Sequence, residues 1–449
     1  QLALFSRSPV VGAWWEELKS QGLFNDKLPE DTELDKQLFI DGLRHEEVLI
    51  KKLKKKGFRI AELEGKQTEC DYKATKQAMS DGYDFIWQAS LTNKEMRGSA
   101  DLLKKVQGSS PFGNWSYQPI ECKLSSKTKT TFLVQACAYC DLLSPLLKKR
   151  PKQFELYLGG GKFKEFETDK FWYWYQLLRE RYRDFQNSFN PNNVPLDAPG
   201  DHGSWAAFIQ ERLEASRDLV TVAKMRQTQR LKLKEAGIHT IDDLAQLKEG
   251  IKIQGLRQEA LHDLKEQAKL QVKPKCPDGK PNYLLKKIIE GKGLTILPKQ
   301  NQGDIWFDLE GVQDPVLGTQ LEYLIGLCYK NESDDSCIYK AWWAHSPSEE
   351  KQAFENWVQW VENRLKRYPD LKIYHYGSYE KTAIRRLAQQ YSTKEIIIDQ
   401  WLRYSLLVDL LPIVTGSIVL GEDSYSIKKV EKLYMENRDA DVKTAGDSV

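Results

Sequence analysis

The chain has 449 residues, too many for one ordinary domain and enough for two to four. Lys and Arg number 67 against 64 Asp and Glu, a formal net charge of +3, so overall charge does not announce a nucleic-acid binder; any basic surface has to be local, as at Lys51–Lys56 (KKLKKK). Seven cysteines at irregular spacing make no readable zinc site or disulfide framework, and with no signal peptide or long apolar run evident, a reduced cytoplasmic protein without membrane association is expected.

Taken in chain order, Ser6–Leu18 (SRSPVVGAWWEEL) reads as a turn and then a short helix whose Trp14 and Trp15 belong to a core. Leu38, Phe39, Leu43, Val48, Leu49 and Leu53 follow helical spacing with His45 among them, and a lone His on a helix is usually structural or solvated. Thr75–Met96 predicts a helix and then a strand through Phe85, Ile86 and Trp87. That strand leads into Gly98–Tyr139, where Asp101 opens an apolar run and Glu121 stands two residues before Lys123. Strand alternation puts Glu121 and Lys123 on one face and Cys122 on the other. A carboxylate pair able to hold a divalent cation, with an ammonium beside it, is equipment for breaking a phosphodiester. Helical spacing resumes over Phe132–Leu143, with Gln135 and Tyr139 four apart on one face. They are either surface and core, or an amide and a phenol placed over the site to position a phosphate or a base. Glu155–Leu158 reads as a closing strand, Asp169–Phe189 as a Trp- and Tyr-rich helix, and the Pro-, Asn- and Gly-rich stretch 190–203 as a domain boundary.

Beyond it the composition turns helical and charged. A helix stops at Gly237, Thr240 with Asp243 offers a cap, and a second turn breaks at Gly255. The pattern is similar to a helix-hairpin-helix, in which amides at a glycine turn meet a DNA phosphate without reading sequence; a helical spacer is the plain alternative. His239 and His262 read as surface residues, and Cys276–Gly279 as another connection. In Asp304–Gly311 (DIWFDLEG), Asp308 and Glu310 face the same way on a strand, a costly arrangement unless they are paired, hydrogen-bonded or metal-bound. A strand over Tyr323–Tyr329 follows. Leu371–Ala388 then supplies Glu380 at a strand-to-helix junction, while Asp399 and Asp409 are further acids, with capping an alternative role for Asp409.

Four segments in order, GLRHEE (42–47), GSADLL (98–103), ECK (121–123) and QACAY (135–139), resemble the motifs of RecB-type nucleases in the PD-(D/E)XK superfamily. The resemblance implies His45, Asp101 and Glu121 as ligands of Mg²⁺ or Mn²⁺, Lys123 as the residue that activates or orients the attacking water, and Gln135 with Tyr139 as an accessory pair. Many relatives bind an iron–sulfur cluster through ligands that begin with a cysteine before proline. Here Ser8 precedes Pro9, so no cluster is expected. Asp308, Glu310 and the strand after them resemble the opening of a DEDD-type 3′ to 5′ exonuclease on the RNase H-like fold, in which acids from three segments hold two cations. Glu380 stands where that family more usually has aspartate, and Ser424–Val430 also fits. The last acid is not found before Val449, although Asp447 could substitute, so this domain is expected to be incomplete at its C-terminus.

The expected fold is therefore a multidomain mixture of α/β and α+β: a PD-(D/E)XK, restriction-endonuclease-like core at 1–195, a helix-hairpin-helix-like middle or linker at 196–285, and an RNase H-like domain at 286–449. The function implied is metal-dependent hydrolysis of phosphodiester bonds, of DNA, in repair, recombination or phage defence, with a helicase as a downstream domain or partner. The competing expectation is a non-catalytic nucleic-acid-binding scaffold in a helicase–nuclease or repair complex.

Overall fold

The computed structural model of the protein describes residues 1–435 other than 32, 94, 314–319 and 335. The chain divides into two compact units, Gln1–Arg212 and a second that begins at Leu213.

In the first unit, strands β1 (Ile60–Glu62), β2 (Phe85–Thr92), β3 (Arg97–Ser110), β4 (Gly113–Lys123), β5 (Gln153–Leu158) and β6 (Lys162–Glu167) form a six-stranded sheet in sequential order. Helices α1 (Leu2–Arg7), α2 (Val11–Ser20), α3 (Glu33–Lys55), α4 (Glu69–Ser80), α5 (Thr130–Leu147) and α6 (Asp169–Asn187) complete it. β2, β3 and β4 are an antiparallel meander, whereas β4 and β5 run parallel. A parallel pair needs a crossover, and α5 supplies it. Leu49, Ile50 and Leu53 of α3 pack with Leu102, Ile120 and Cys122 on one side of the sheet, and α4 and α5 meet Ile86 and Leu103 on the other. Leu102 and Leu103 are successive residues, so their separation into two clusters is the strand alternation itself.

Two features of this unit depart from the hydrophobic pattern. The buried face of α3 runs through Asp41, His45, Leu49 and Leu53, while Leu38, Phe39, Leu43 and Val48 are exposed. Polar residues occupy half of that buried stripe, so counting apolar positions selects the wrong face. Helix α5 is long and apolar enough to cross a membrane by length and composition. Val134, Leu142, Leu143 and Leu147 are nevertheless buried in the fold. Cys137 and Cys140 stand at C-x-x-C spacing on the same helix, a pair that the irregular overall spacing hides; both are buried free thiols.

The expected boundary at 190–203 is tied down. The Ser8 hydroxyl accepts the Gly12 N–H at 2.7 Å and lies 2.7 Å from Nδ1 of His202, whose Nε2 lies 2.7 Å from the Ala198 carbonyl. That network is satisfied when neutral His202 carries its proton on Nε2. Trp205 is fully buried against Trp15, Phe24 and Phe208 and donates to Glu16 at 2.8 Å. The division between units accordingly falls later than the composition suggests, inside α7 (Ala206–Ala215).

The second unit opens with α8 (Gln227–Glu235), α9 (Ile241–Ala245) and α10 (Gln258–Val272), packed around Leu219, Leu233, Leu244 and Leu264. Gly237 and Gly255 adopt the left-handed backbone, at φ +80° and +73°, and Thr240 and Asp243 form a reciprocal cap, as their spacing predicts. This segment is no separate domain in the contact pattern. The Gln267 amide donates to the Leu420 carbonyl at 2.6 Å and accepts from the Tyr425 hydroxyl at 2.8 Å, joining α10 to the final part of the same unit. Beyond Cys276–Gly279, β7 (Tyr283–Leu285) pairs with β13 (Ile418–Leu420).

The main sheet of this unit comprises β8 (Ile305–Gln313), β9 (Gln320–Lys330), β10 (Cys337–Trp343), β11 (Ile373–His375) and β12 (Leu407–Asp409), in the order β10-β9-β8-β11-β12. β8, β11 and β12 are parallel, and β9 and β10 antiparallel. Helices α11 (Pro347–Arg367), α12 (Tyr379–Tyr391), α13 (Glu395–Arg403), α14 (Leu410–Ser417) and α15 (Ile427–Val430) accompany it. Phe354 and Trp357 of α11 close the core on Ile305, Phe307 and Ile373, with the Phe307 and Trp357 rings stacked at 4.6 Å.

Removing the Ser8 hydroxyl leaves both the Gly12 N–H and His202 Nδ1 unpaired in a buried place, at about 1–3 kcal/mol. Ser8→Ala is therefore expected to lower the denaturation midpoint of the first unit. Limited proteolysis should then cut within 190–203 faster than in the wild type.

Candidate active sites

The β3–β4 register sets Leu102 opposite Ile120, which brings Asp101 and Glu121 against each other. Lys123 Nζ lies 2.7 Å from Glu121 Oε2 and 3.7 Å from Asp101 Oδ2, and Asp101 Oδ2 also accepts the Cys122 N–H at 2.8 Å. Glu121 has no exposed surface, and neither of its oxygens has a well-aligned hydrogen bond among the described residues. Burial, and then the charge of Asp101, push its carboxyl well above the usual range despite Lys123. Burial also works against the Lys123 ammonium, but Glu121 and Asp101 outweigh it and hold its proton more tightly than usual.

Gln135 and Tyr139 lie one turn apart on α5. The Gln135 amide donates to the Tyr139 hydroxyl at 3.2 Å, and that hydroxyl donates to the Ser99 carbonyl at 2.7 Å. Both residues, with Gly98 and Arg97, line a cleft of about 560 Å³. Burial and then Glu121 raise the Tyr139 phenol, which keeps it a donor.

His45 is placed differently from the other motif residues. It is buried with its ring stacked on Tyr157 at 4.5 Å and Nε2 3.4 Å from the Tyr157 carbonyl, and burial lowers its pKa. Its neighbour Glu46 shares the field of Asp101 and Lys123: burial and then Asp101 raise its carboxyl, while Lys123 acts in the opposite sense. Glu46 Oε2 accepts from Trp87 Nε1 at 3.1 Å and from Gln88 Nε2 at 2.8 Å, so its side chain is aimed. The sequence reading missed Glu46, although it is the adjacent residue of the same GLRHEE segment.

In the second unit, Asp308 and Glu310 project from β8, and Glu380 begins α12 just after β11. Burial, then Glu380 and Glu310, push the Asp308 carboxyl up to about 6. His375 ends β11, with Nδ1 3.3 Å from Glu380 Oε2. Asp308, Glu310 and His375 line a cavity of about 400 Å³ with Trp306, Tyr339 and Tyr374. The first turn of α12 is held from behind: the Tyr379 hydroxyl donates to both oxygens of buried Glu322, at 3.0 and 2.8 Å, and Arg386 pairs with Glu322 at 2.5 Å. A Cβ on Gly311 would lie 2.2 Å from Glu322 Oε2 and 2.7 Å from the Tyr379 hydroxyl, so the residue after Glu310 has to be glycine for this packing. Asp409 takes its alternative role, accepting from the Leu411 and Gly377 N–H groups at 3.0 and 2.8 Å. Asp399 pairs with Arg403 on the surface of α13, and Asp447 lies outside the described residues.

Among the described residues, no three His, Cys, Asp or Glu side chains are gathered closely enough to hold a metal as they stand. What the structure does provide is paired carboxylates with unsatisfied buried oxygens, on Glu121 and on Glu380. Mg²⁺ commonly takes one or two carboxylates and fills its remaining positions with water and substrate phosphate, so these donors fit a hard divalent cation.

Residues 305–449 match the family model of the RNase H superfamily designated RNase_H_2. The C-terminal part is thus an RNase H-like domain, a fold class associated with nuclease-type hydrolysis of nucleic acid. No curated protein matches the chain.

The pKa of Asp308 gives a stability prediction. A carboxyl raised from 3.8 to about 6 binds its proton more tightly folded than unfolded, so its contribution is full below pH 3.8 and is lost as pH rises towards 6. At pH 7 the ionised group therefore lowers stability, by an amount that solvent screening reduces because Asp308 is exposed. In metal-free protein, Asp308→Asn is expected to raise the unfolding temperature at pH 7 and to change it little at pH 3.5, as scanning calorimetry would read.

Proposed function

We propose that the protein is a divalent-metal-dependent nuclease acting on DNA, with hydrolysis centred on Asp101, Glu121 and Lys123 in a PD-(D/E)XK-type unit. The observation that carries this reading is the buried Glu121–Lys123 pair at 2.7 Å with Asp101 opposite it, beside a cleft that Gln135 and Tyr139 line. An ion pair kept only for stability gains little from burial, since apolar residues of the same volume do as well or better. Paired acids and a lysine held together on adjacent strands have a chemical use instead.

Asp101 and Glu121 would hold Mg²⁺ or Mn²⁺, with Glu46 rather than His45 best placed to stand third. A bound cation polarises the phosphoryl oxygen and lowers the pKa of its water. Lys123, 2.7 Å from Glu121, would meet the charge developing on water or phosphate. The second N–H of the Gln135 amide would orient the phosphate or an adjacent base in the cleft, with Tyr139 holding that amide in place. The glycine turns at Gly237 and Gly255 would hold a nucleic-acid backbone without reading its sequence. A role in repair, recombination or phage defence, alongside a helicase, belongs to this reading.

A second reading has its own support: Asp308, Glu310 and Glu380 in the RNase H-like domain form a further hydrolytic centre. The observation in its favour is that Asp308 and Glu310 line one cavity and that Glu380 and Glu310 both act to raise the Asp308 carboxyl, a repulsion that a bound cation would relieve.

Asp101→Ala and Lys123→Ala are each expected to lower the rate of nucleotide release from DNA with Mg²⁺ or Mn²⁺ by at least about 100-fold, the scale of losing one group that stabilises developing charge. Wild-type rates in both variants would dismiss the first centre. Loss confined to Asp308→Ala would transfer the activity to the second.

A further inference from the structure

His375 is a buried titratable residue that neither reading uses. Its side chain has no exposed surface and that of Glu380 is 5 % exposed. The Nδ1–Oε2 separation of 3.3 Å is close, yet both ring nitrogens and Glu380 Oε2 lack an aligned hydrogen bond among the described residues. A buried polar atom left without a partner costs about 1–3 kcal/mol, which favours an alignment of this close pair when the site is filled. His375 lines a cavity together with Asp308 and Glu310.

We propose that His375 is a positioning residue of the second site, its imidazole N–H fixing the rotation of the Glu380 carboxylate towards Asp308. The inference rests on reading Asp308, Glu310 and Glu380 as a cation-dependent centre. The geometry divides the work of holding Glu380. Its backbone is fixed by the first turn of α12, which Tyr379 anchors to Glu322 and Arg386. The rotation about its terminal bonds is left free by those contacts, and His375 is the side chain placed to set it. His375 is itself rigid, because β11 is hydrogen-bonded between β8 and β12. Hydrogen bonds of this kind are often loose without substrate and align when the site is filled. A partner that orients a ligating group typically changes metal affinity by 10–100-fold when it is removed.

The test uses the full chain carrying Asp101→Asn, so that the first site is disabled, and reads Mn²⁺ binding by the electron paramagnetic resonance signal of free Mn²⁺. His375→Phe keeps a ring of similar size without a donor, and His375→Asn keeps an N–H. The expected result is Mn²⁺ binding weakened at least about tenfold in the Phe variant, largely restored in the Asn variant, with unfolding temperatures matching the parent. Affinity equal to the parent in the Phe variant would make His375 a core filler and overturn the proposal, as would equal weakening in Phe and Asn. If the parent binds no Mn²⁺, or binds it equally well with Asp308→Ala, the reading of the second centre itself fails, and the role of His375 falls with it.

Discussion

Burial of a carboxylate beside another carboxylate is the constraint on which both candidate sites depend. An ionised acid without solvent is expensive, and a neighbour of like charge adds to the expense. Glu121 has no exposed surface and faces Asp101; Glu380 is buried beside Asp308, which itself keeps an exposed face. Neither arrangement follows from packing. Each requires a rigid sheet to hold the acids at their spacing, and the two units supply such sheets with different topologies.

The units answer the cost differently. In the first, Lys123 is delivered by the same strand as Glu121, two residues on, so one stretch of backbone carries both the charge and its counter-charge. In the second, Arg386 of α12 is engaged with Glu322 behind the site rather than with Asp308. The result is a carboxyl pushed up to about 6 where no lysine offsets it. The first cluster is close to neutral internally, and the second carries unbalanced negative charge. Added cations should therefore alter the stability of the second unit more than that of the first.

How much of this was legible in the sequence depended on the kind of geometry involved. Asp101, Glu121 and Lys123 could be read because strand alternation and an antiparallel partner convert spacing directly into proximity. The Thr240–Asp243 cap, the Gly237 stop and the position of Glu380 at a strand-to-helix junction were equally local. The orientation of α3 was not, since its buried face is decided by where the sheet lies, and that sheet is assembled from residues far along the chain. Hence His45 was read as a ligand and Glu46 passed over, though one residue separates them. The tethering of 190–203 was hidden for the same reason: its partners, Ser8 and Gly12, are at the other end of the unit. Strand β6 is an exposed edge strand with little apolar pattern, which left it unread.

Gly311 ties the two acid-bearing elements of the RNase H-like domain into one mechanical part. Because the Glu322 carboxylate and the Tyr379 hydroxyl fill the space where a side chain would be, a bulkier residue after Glu310 would push on the anchor of the helix that carries Glu380. A change in one acid-bearing element is in this way felt by the other.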